Sequence, residues 1–392
     1  MSGQYQSPTI TPERIREIEK NIRRATTEWL FGLEPQAQIL TRALFVALPY
    51  TDKLTSTKLL TQPTIMFIGG TGLGKTDLIE SISMAIRALS KRIQGTPDLM
   101  PYHILGSAKM IENENGGRSV VFDPGKIFCN LLKIDEGNRM RGQTKSALLE
   151  GMEERSVTAP LDYRNSQGEK VDALPLFPLS GDLNDIEGPR FFMPLITQNV
   201  FGEEEGTYED PMAQLDRITL TIHMRRPSFE DEIKISAKNV INKRIQPVSD
   251  LHEILAGAYY IFDNVEFSDP AKQYRVRLLR NTDPNVVGEC GNTKLISFVK
   301  QNILVGATPR VNFHLEAVAR TWAFFEDSDV VMPKHVKDAS LQVIPHRLKL
   351  RPEKEFQIEL ISGEKKRPNN PREAVEIVFN EIVRETDISS WK

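Results

Sequence analysis

Three short apolar runs, each followed by polar residues, organise the first half of the chain. They occupy Ile65–Ile68, residues 128–134 and residues 191–196. Helical patterns separate them, and this alternation predicts an α/β domain with a parallel sheet and helices on both faces. Ligands of such sheets bind beyond the carboxyl ends of the strands. The polar residues that follow the three runs are therefore the first candidates for a site.

Helical patterns dominate the rest of the chain. Thr11-Pro12-Glu13 predicts the start of an N-terminal helix, with a threonine N-cap and a proline in the first helical position. Beyond about residue 226 the strand signals stop and a smaller all-helical domain is predicted. Its helices are expected at about 228–243, 248–263, 268–281, 292–304, 309–325 and 334–346.

The predicted organisation has three parts. The segments are an α/β domain over residues 1–226, a helical domain over 227–349 and a charged tail over 350–392. Within the tail, a last helix is expected from Pro371 to about Arg384.

Composition narrows the class of protein without identifying a ligand. The formal net charge of -3 gives no overall attraction to nucleic acid or to an anionic membrane. Cys129 and Cys290 are isolated, and the histidines share no metal-ligand spacing, which predicts reduced, buried thiols. No apolar run approaches a membrane span, and the N-terminus is too polar for a signal peptide. A soluble, cytoplasmic protein is expected.

Residues 69–76 read GGTGLGKT and match the phosphate-binding pattern GxxxxGK[ST] in full. An apolar run precedes them and an amphipathic stretch follows, which is the strand–loop–helix setting that the pattern requires. The motif predicts a P-loop NTPase that binds ATP with Mg²⁺. Lys75 is expected to reach the β- and γ-phosphates, and Thr76 to ligate Mg²⁺. The predicted nucleotide-binding residues of the loop are Gly70, Thr71, Gly72, Leu73, Gly74, Lys75 and Thr76.

Acidic residues at the end of the second apolar run predict hydrolysis as well as binding. Asp135 is expected to hold Mg²⁺, and Glu136 to orient and polarise the attacking water. Asn199, which follows the third run beside Thr197 and Gln198, is a candidate for positioning the same water.

Two arginines follow recognisable turns of the chain. Arg217 comes after Gln214-Leu215-Asp216, and Arg310 after Gly306-Ala307-Thr308-Pro309. A guanidinium can stabilise the charge that spreads over a γ-phosphate during hydrolysis. From the residues alone, a surface or ion-pair role remains the commoner alternative for each.

Taken together, these motifs resemble the MoxR-type AAA+ ATPases over roughly residues 20–350. The matching stretches, in order, are RIQGTPDLMP (92–101), DEGNR (135–139), SALLE (146–150), TQN (197–199), EGTY (205–208), AQLDR (213–217), GATPR (306–310) and HRL (346–348). The resemblance implies an AAA+ nucleotide domain, a helical lid and a homo-oligomeric ring, most often a hexamer, with ATP at subunit interfaces. It gives Asn199 the sensor 1 role, Arg310 the sensor 2 role and Arg217 the role of an arginine finger that acts on the neighbouring subunit's ATP.

The family resemblance also implies a protein partner. Its members are thought to remodel or mature other proteins, often beside a partner with a von Willebrand factor A domain. The chain departs from the family at Gly125-Lys126 and Asn199-Val200, where the family commonly has proline second. The segment 156–190 is longer than the family's usual hairpin and carries prolines and a glycine, which predicts a hairpin or loop excursion.

Two other functions compete with protein remodelling. A nucleic-acid motor would need basic residues in the hairpin before Asn199, but residues 156–190 hold more acids than bases, which disfavours this function. The acids are Asp162, Glu169, Asp172, Asp182, Asp185 and Glu187, and the bases are Arg164, Lys170 and Arg190. The third reading is a scaffold whose assembly is set by ATP while turnover hardly matters.

Overall fold

The structure of the protein is a computed structural model. It describes residues 10–51, 58–112, 118–159, 163–164, 167–176, 190–198, 215–237, 245–289, 292–354 and 356–386. Within these ranges, no helix combines the length and the apolar character needed to cross a bilayer. The predicted sensor residue Asn199 and the family-like stretch 205–208 lie outside the described residues.

The chain forms two compact units. Unit 1 comprises Met1–Asp210 and Ile222–Tyr259, and unit 2 comprises Pro211–Thr221 and Tyr260–Lys392. The predicted limit at residue 226 falls inside unit 1, and the predicted limit at residue 349 falls inside unit 2. A boundary drawn from sequence patterns cannot show a chain that leaves one unit and returns to it.

Among the described residues, the strands up to residue 223 form one central sheet and three antiparallel pairs. They are β1 (Leu48–Thr51), β2 (Lys58–Thr61), β3 (Ile65–Ile68), β4 (Ser90–Gln94), β5 (Gly106–Glu112), β6 (Arg118–Pro124), β7 (Leu131–Asp135), β8 (Ser156–Thr158), β9 (Ala173–Pro175), β10 (Met193–Gln198) and β11 (Leu220–His223). The sheet has the order β11-β3-β10-β7-β4. The pairs β3–β10, β10–β7 and β7–β4 are parallel, which confirms the predicted parallel sheet.

The buried strands explain why the sequence signalled them. Every residue of β3 and β7 is buried, as expected for strands covered on both faces. The predicted run 128–134 becomes a strand only at Leu131, because the residues before it turn. The side chain of Asn130 accepts from Leu89 N at 3.0 Å and donates to Phe191 O at 3.1 Å, so it joins three segments instead of continuing the strand.

Helices accompany the sheet, several of them where the patterns predicted a helix. They are α1 (Pro12–Thr27), α2 (Glu34–Ala43), α3 (Lys75–Ala85), α4 (Pro101–Leu105), α5 (Gly142–Glu154), α6 (Phe229–Ala237) and α7 (Leu251–Asn264). Thr11 is the N-cap of α1, and its side chain accepts from Arg14 N at 3.3 Å, so the predicted helix start is confirmed. Cys129 is free and buried, and burial raises the pKa of its thiol to about 12. Cys290 lies outside the described residues.

The segment 156–190 begins with a hairpin, as predicted. Strands β8 and β9 pair antiparallel, and Arg164 bridges to Lys170 farther along the excursion. Four of the six acids counted in this segment lie outside the described residues. Those four are Asp162, Asp182, Asp185 and Glu187.

Unit 2 is mainly helical, with short strand pairs that the sequence did not reveal. Its helices are α8 (Asp269–Arg280), α9 (Thr293–Asn302), α10 (Val311–Phe325), α11 (Pro333–Val343) and α12 (Pro371–Glu385). The strands are β12 (Glu266–Phe267), β13 (Ile303–Val305), β14 (Val330–Val331), β15 (Lys349–Leu350), β16 (Ile358–Glu359) and β17 (Lys365–Lys366). They pair as β12–β14, β13–β15 and β16–β17, and segments of two or three residues are too short to produce an alternating pattern.

The end of the chain is helical, as predicted from Pro371. Asn370 is the N-cap of α12 and accepts from Glu373 N at 2.9 Å. Val378, Phe379 and Ile382 of this helix are buried. The second half of the predicted tail is therefore a packed part of unit 2.

Candidate nucleotide site

The loop between β3 and α3, residues 69–76, is shaped by its glycines, and we call it the phosphate loop. Gly72 and Gly74 have φ angles of 75° and 76°, in the left-handed region that glycine adopts without strain. A Cβ on Gly69 would lie 2.7 Å from the Cβ of Met224, so a larger residue does not fit there. Gly74 is the N-cap of α3 and brings no side chain over the helix N-terminus. This backbone arrangement, with the positive end of the helix dipole, is suited to bind phosphate groups.

The side chain of Lys75 folds back over the phosphate loop, of which it is a part. Its Nζ donates to the carbonyl oxygens of Gly69 at 2.7 Å and Gly70 at 2.8 Å. Burial lowers the pKa of Lys75, while the charges of Asp135 and Glu136 raise it. The ammonium group thus contacts the phosphate loop, and the charges of the two acids act on it.

The sheet brings the ends of three strands together at one edge. In the register of the parallel pairs, Gln198 at the end of β10 lies opposite Ile68 at the end of β3, and Thr197 lies opposite Asp135 at the end of β7. The N–H of Gly69 donates to Gln198 O at 3.2 Å, which ties the first residue of the phosphate loop to the neighbouring strand. The two acids and the phosphate loop therefore share the carboxyl edge of the sheet, as the sequence predicted.

Asp135 is buried and held from two sides. Its Oδ1 accepts from the Thr197 hydroxyl at 2.8 Å, and its Oδ2 accepts from Arg92 Nε at 2.5 Å. Thr197 was predicted only as a neighbour of Asn199; the structure gives it a direct contact with the acid.

Glu136 sits in a strained turn directly after β7. Its φ of 53° is unusual for a residue with a side chain, and such outliers concentrate at functional sites. Its Oε2 accepts from Gln94 Nε2 at 3.2 Å and pairs with Arg139 at 3.1 Å. Gly95 allows the turn to pass closely, because a Cβ there would lie 2.1 Å from Glu136 O.

Arg92 and Gln94 between them contact both acids, although the sequence motifs gave neither residue a role. Both lie on β4, two positions apart and so on one face of the strand, and Arg92 also donates to Gln94 Oε1 at 2.9 Å. Together they link Asp135 to Glu136 through side chains of the neighbouring strand. In RIQG (92–95), polar Arg92 and Gln94 flank apolar Ile93, so both polar side chains lie on one face of the strand. This pattern points to Asp135 and Glu136 only once β4 is known to pair with β7.

The predicted arginines belong to unit 2. Arg217 is half-buried and follows Asp216, whereas Arg310 is exposed and directly precedes α10. Their predicted roles remain predictions, as does that of Asn199.

The donor set fits Mg²⁺ bound together with a nucleotide. Among the described residues there is no group of three or more histidine, cysteine or acidic side chains that could hold a metal by itself. Mg²⁺ commonly takes one or two protein oxygens and completes its shell with water and substrate phosphates. A hydroxyl at Thr76, a carboxylate at Asp135 and a glycine-lined loop match that requirement. Chemically, the arrangement can bind a polyphosphate, a divalent cation and a water molecule for attack on phosphorus.

Two protein families match parts of the chain. Residues 64–168 match the family described as "ATPase family associated with various cellular activities (AAA)", and residues 297–366 match the AAA lid domain. The first match contains the phosphate loop, Asp135 and Glu136.

Curated relatives match over most of the chain. It is 30% identical to the "Chaperone MoxR1" of Mycobacterium tuberculosis over 330 residues, which cover 81% of this chain and 78% of that protein. It is 31% identical over 295 residues to the "Uncharacterized protein YeaC" of Bacillus subtilis, covering 73% of this chain and 77% of that one. The "Protein MoxR" of Paracoccus denitrificans is 27% identical over 74% of this chain and 80% of its own length.

A solved structure is similar over nearly the full length. It is described as a putative ATPase from Cytophaga hutchinsonii and is 26% identical, with a TM-score of 0.69. The similarity covers 94% of this chain and 96% of that one.

Proposed function

Because this chain belongs to the MoxR family of AAA+ ATPases, we propose that it hydrolyses Mg-ATP at sites shared between neighbouring subunits of a homo-oligomeric ring. The energy would serve to remodel, assemble or activate a partner protein. The observation that carries the proposal is the meeting of the phosphate loop, Lys75, Asp135 and Glu136 at one edge of the sheet. The printed name of the mycobacterial relative, a chaperone, supports a protein as the partner.

In this proposal each residue of the site has one task. The N–H groups of Gly70–Thr76 cradle the phosphates, and Lys75 moves from the carbonyl oxygens of its own loop to the β- and γ-phosphates. Thr76 and Asp135 would hold Mg²⁺, which supplies charge neutralisation on the phosphate oxygens. Glu136 orients the attacking water and accepts its proton as the γ-phosphorus–oxygen bond to ADP breaks.

Three further residues complete the proposed site. Asn199 would position the same water, Arg310 would contact the γ-phosphate in its own subunit, and Arg217 would act on the ATP of the neighbouring subunit. A guanidinium suits both arginine roles because it stays charged and spreads that charge over a planar group. Hydrolysis then depends on assembly, since no subunit holds a complete set of groups for its own ATP.

A mixing experiment tests the shared site. Arg217→Ala is expected to bind ATP and turn over poorly, and Glu136→Gln to bind ATP without hydrolysing it. A subunit carrying Arg217→Ala retains Glu136, and a Glu136→Gln neighbour supplies an intact Arg217, so mixtures should recover part of the ATPase activity. Arg226→Ala removes an exposed arginine paired with Glu232 and serves as the matched control with normal turnover. Absence of recovery in rings that contain both variants would show that Arg217 does not act between subunits.

Work on a partner is distinguished from scaffolding by the Glu136→Gln variant. A scaffold should still support its process when ATP is bound and not hydrolysed, whereas a remodelling enzyme should fail. Deleting residues 160–188 adds a second test, because this excursion is expected to serve partner action more than ATP hydrolysis. Equal loss of both activities would assign the excursion a structural role.

A further inference from the structure

Unit 2 buries an arginine that the nucleotide chemistry does not use. Arg347 follows α11, and only 1% of it is exposed. Its guanidinium donates to Asp216 O at 3.3 Å, to His314 Nδ1 at 2.6 Å and to the carbonyl oxygens of Val343 and Ile218. A carboxylate oxygen of Asp216 lies 3.4 Å from Arg347 Nε.

Among the described residues, one carboxylate, that of Asp216, and one neutral ring, that of His314, face the charge of Arg347. Burial lowers the pKa of Arg347 to about 9, and the negative charge of Asp216 opposes that shift. Burial of the His314 ring, together with the positive charges of Arg347 and Arg310, lowers the pKa of His314 to about 3. His314 is therefore neutral at physiological pH and accepts a hydrogen bond from Arg347. Because the charge of Arg310 also lowers the pKa of His314, the Arg310 guanidinium acts on the same group of residues.

A hydroxyl extends the network toward Arg310. Thr308 Oγ1 donates to Asp216 Oδ2 at 2.7 Å. The turn that carries Thr308 is also fixed from its other side, because Ala307 N donates to Thr282 Oγ1 at 3.1 Å and a Cβ on Gly306 would lie 2.5 Å from Thr282 O. We call Asp216, Thr308, His314 and Arg347 the Arg347 cluster.

The cluster joins the two chain segments that carry the predicted arginines. Asp216 directly precedes Arg217, and the next residue, Ile218, is held through its carbonyl oxygen by Arg347 and by His346 Nε2 at 3.1 Å. On the other segment, Thr308 lies two residues before Arg310. Hydrogen bonds thus hold the backbone on both sides of Arg217 and the turn at residues 306–308 that precedes Arg310.

We propose that the Arg347 cluster is a positioning site that holds Arg217 and Arg310 as one rigid pair. The inference rests on the proposed function, in which Arg217 acts on the neighbouring subunit's ATP and Arg310 on its own. One rigid pair makes the two sites of a subunit mechanically dependent, because a shift of Arg310 at one nucleotide moves Arg217 at the next.

The physical cost of the cluster favours a positioning role over simple packing. Removing a guanidinium from water is energetically costly. When a whole buried ion pair is replaced by apolar residues of similar volume, the protein is often equally or more stable. An arginine with several fixed donors also constrains more atoms than an apolar side chain does, because each hydrogen bond has a direction. The cluster therefore orients backbone segments at an energetic expense that packing alone does not require.

The contact between Thr308 and Asp216 gives the cleanest test, because Thr308 is exposed and can be changed without opening the core. Thr308→Val keeps the shape and removes the donor. In assembled protein we expect its kcat for ATP to fall about fivefold, the factor for one hydrogen bond of ordinary net strength, with KM for ATP changed less than about twofold. Thr308→Ser keeps the hydroxyl and should restore the wild-type kcat. Ser328→Ala, which removes another exposed hydroxyl bond of unit 2, is the matched control and should leave kcat unchanged.

A background lacking both arginines separates positioning from general damage. In Arg217→Ala/Arg310→Ala protein, measured by single turnover, Thr308→Val should have no further effect. A full fivefold loss in that background, or failure of Thr308→Ser to restore kcat, would overturn the inference. If Arg217→Ala and Arg310→Ala each keep wild-type turnover, the roles proposed for these two arginines are wrong. That result differs from a full Thr308→Val effect in the background that lacks both arginines, which would contradict only the positioning role of the cluster.

Discussion

Lys75 and Arg347 are two cations of this chain with opposite surroundings, and the contrast shows how a charge is prepared for a ligand or for the fold. Lys75 is half-buried at the end of a glycine loop and donates to two carbonyl oxygens of that loop. Its flexible side chain can exchange these two carbonyl oxygens for phosphate oxygens. Arg347 is fully buried, and its partners come from several separate segments. It cannot move without breaking all of these contacts.

The acids of the two regions repeat the contrast. Asp135 and Glu136 are held by side chains from neighbouring strands and turns, among them Arg92, of which more than half is exposed. Asp216 is held by a buried guanidinium and by the hydroxyl of Thr308. Exposed ion pairs contribute little to stability and can rearrange, whereas the loss of one partner of a buried pair is costly. The region around Lys75 is therefore suited to exchange partners during a reaction, and the region around Arg347 to keep them.

The largest effect is expected for Arg347→Met. It removes the guanidinium that pairs with Asp216 and bonds Ile218 O and Val343 O, so the Asp216 carboxylate loses its buried counter-charge and unit 2 should lose about 3–5 kcal/mol of stability. Hydrogen exchange of peptides from α10 and α11 measures the loss, with peptides from β3 and β7 as the internal control. Adding Asp216→Asn should recover part of the stability, since it removes the unpaired charge. A variant as stable as wild type would mean that the buried guanidinium does not hold these segments.

Lys75→Ala should have the next largest effect, but on ATP binding and not on stability. ATP affinity should fall at least about a hundredfold, equivalent to roughly 2.7 kcal/mol, because a charge-assisted contact to the phosphates is lost. Thermal unfolding without nucleotide should stay close to wild type, since the side chain is half-buried and its bonds to Gly69 O and Gly70 O lie within its own loop. Isothermal titration with Mg-ATP checks the first point and calorimetric unfolding the second. Tight ATP binding by the variant would refute the phosphate-loop assignment.

A smaller effect is expected from acid at His314. Its pKa is lowered from 6.5 to about 3 in the folded protein, so the unfolded chain takes up a proton as pH falls below 6.5 while the folded chain does not. Stability is therefore complete above 6.5 and is lost progressively between 6.5 and 3, by about 1.4 kcal/mol at pH 5.5. Chemical unfolding of wild type and His314→Asn at pH 7.5 and 5.5 measures this, because asparagine offers an acceptor to Arg347 and does not titrate. His252→Asn, at an exposed histidine, is the control and should leave the wild-type pH dependence intact. A variant with the same acid sensitivity as wild type would remove His314 as its source.

The smallest stability change is expected for Arg92→Gln. The Arg92 side chain is 56% exposed and Asp135, although buried, keeps the Thr197 hydroxyl as a donor, so the ion pair should be worth only about 1 kcal/mol. Urea unfolding of the variant checks this, with Lys272→Gln, an exposed ion-pair variant of unit 2, for comparison. A loss of several kcal/mol would mean that the nucleotide region depends on fixed charge pairs as the Arg347 region does, and the contrast between them would fail.

Local physical rules explain what could be predicted of the fold. The buried strands β3 and β7 consist largely of apolar residues, and helices α1 and α12 begin at capping residues followed by proline. A few consecutive positions are therefore enough to predict each of these elements. The short strands β12 to β17 carry no such signal. The division of the chain between units was also invisible, because the segment 211–221 belongs with residues far along the sequence.

By itself the sequence determined the phosphate loop and the acids that follow the second apolar run. Their chemistry depends on residue type and short spacing: glycines for left-handed turns, a lysine at a helix start, and carboxylates at a strand end. Only the tertiary structure decided that Arg92 and Gln94 link Asp135 to Glu136, and that Asp216, Thr308, His314 and Arg347 meet in one cluster. These contacts join residues distant along the chain, and the hydrogen bonds and charges that define them act through space, where sequence spacing carries no information.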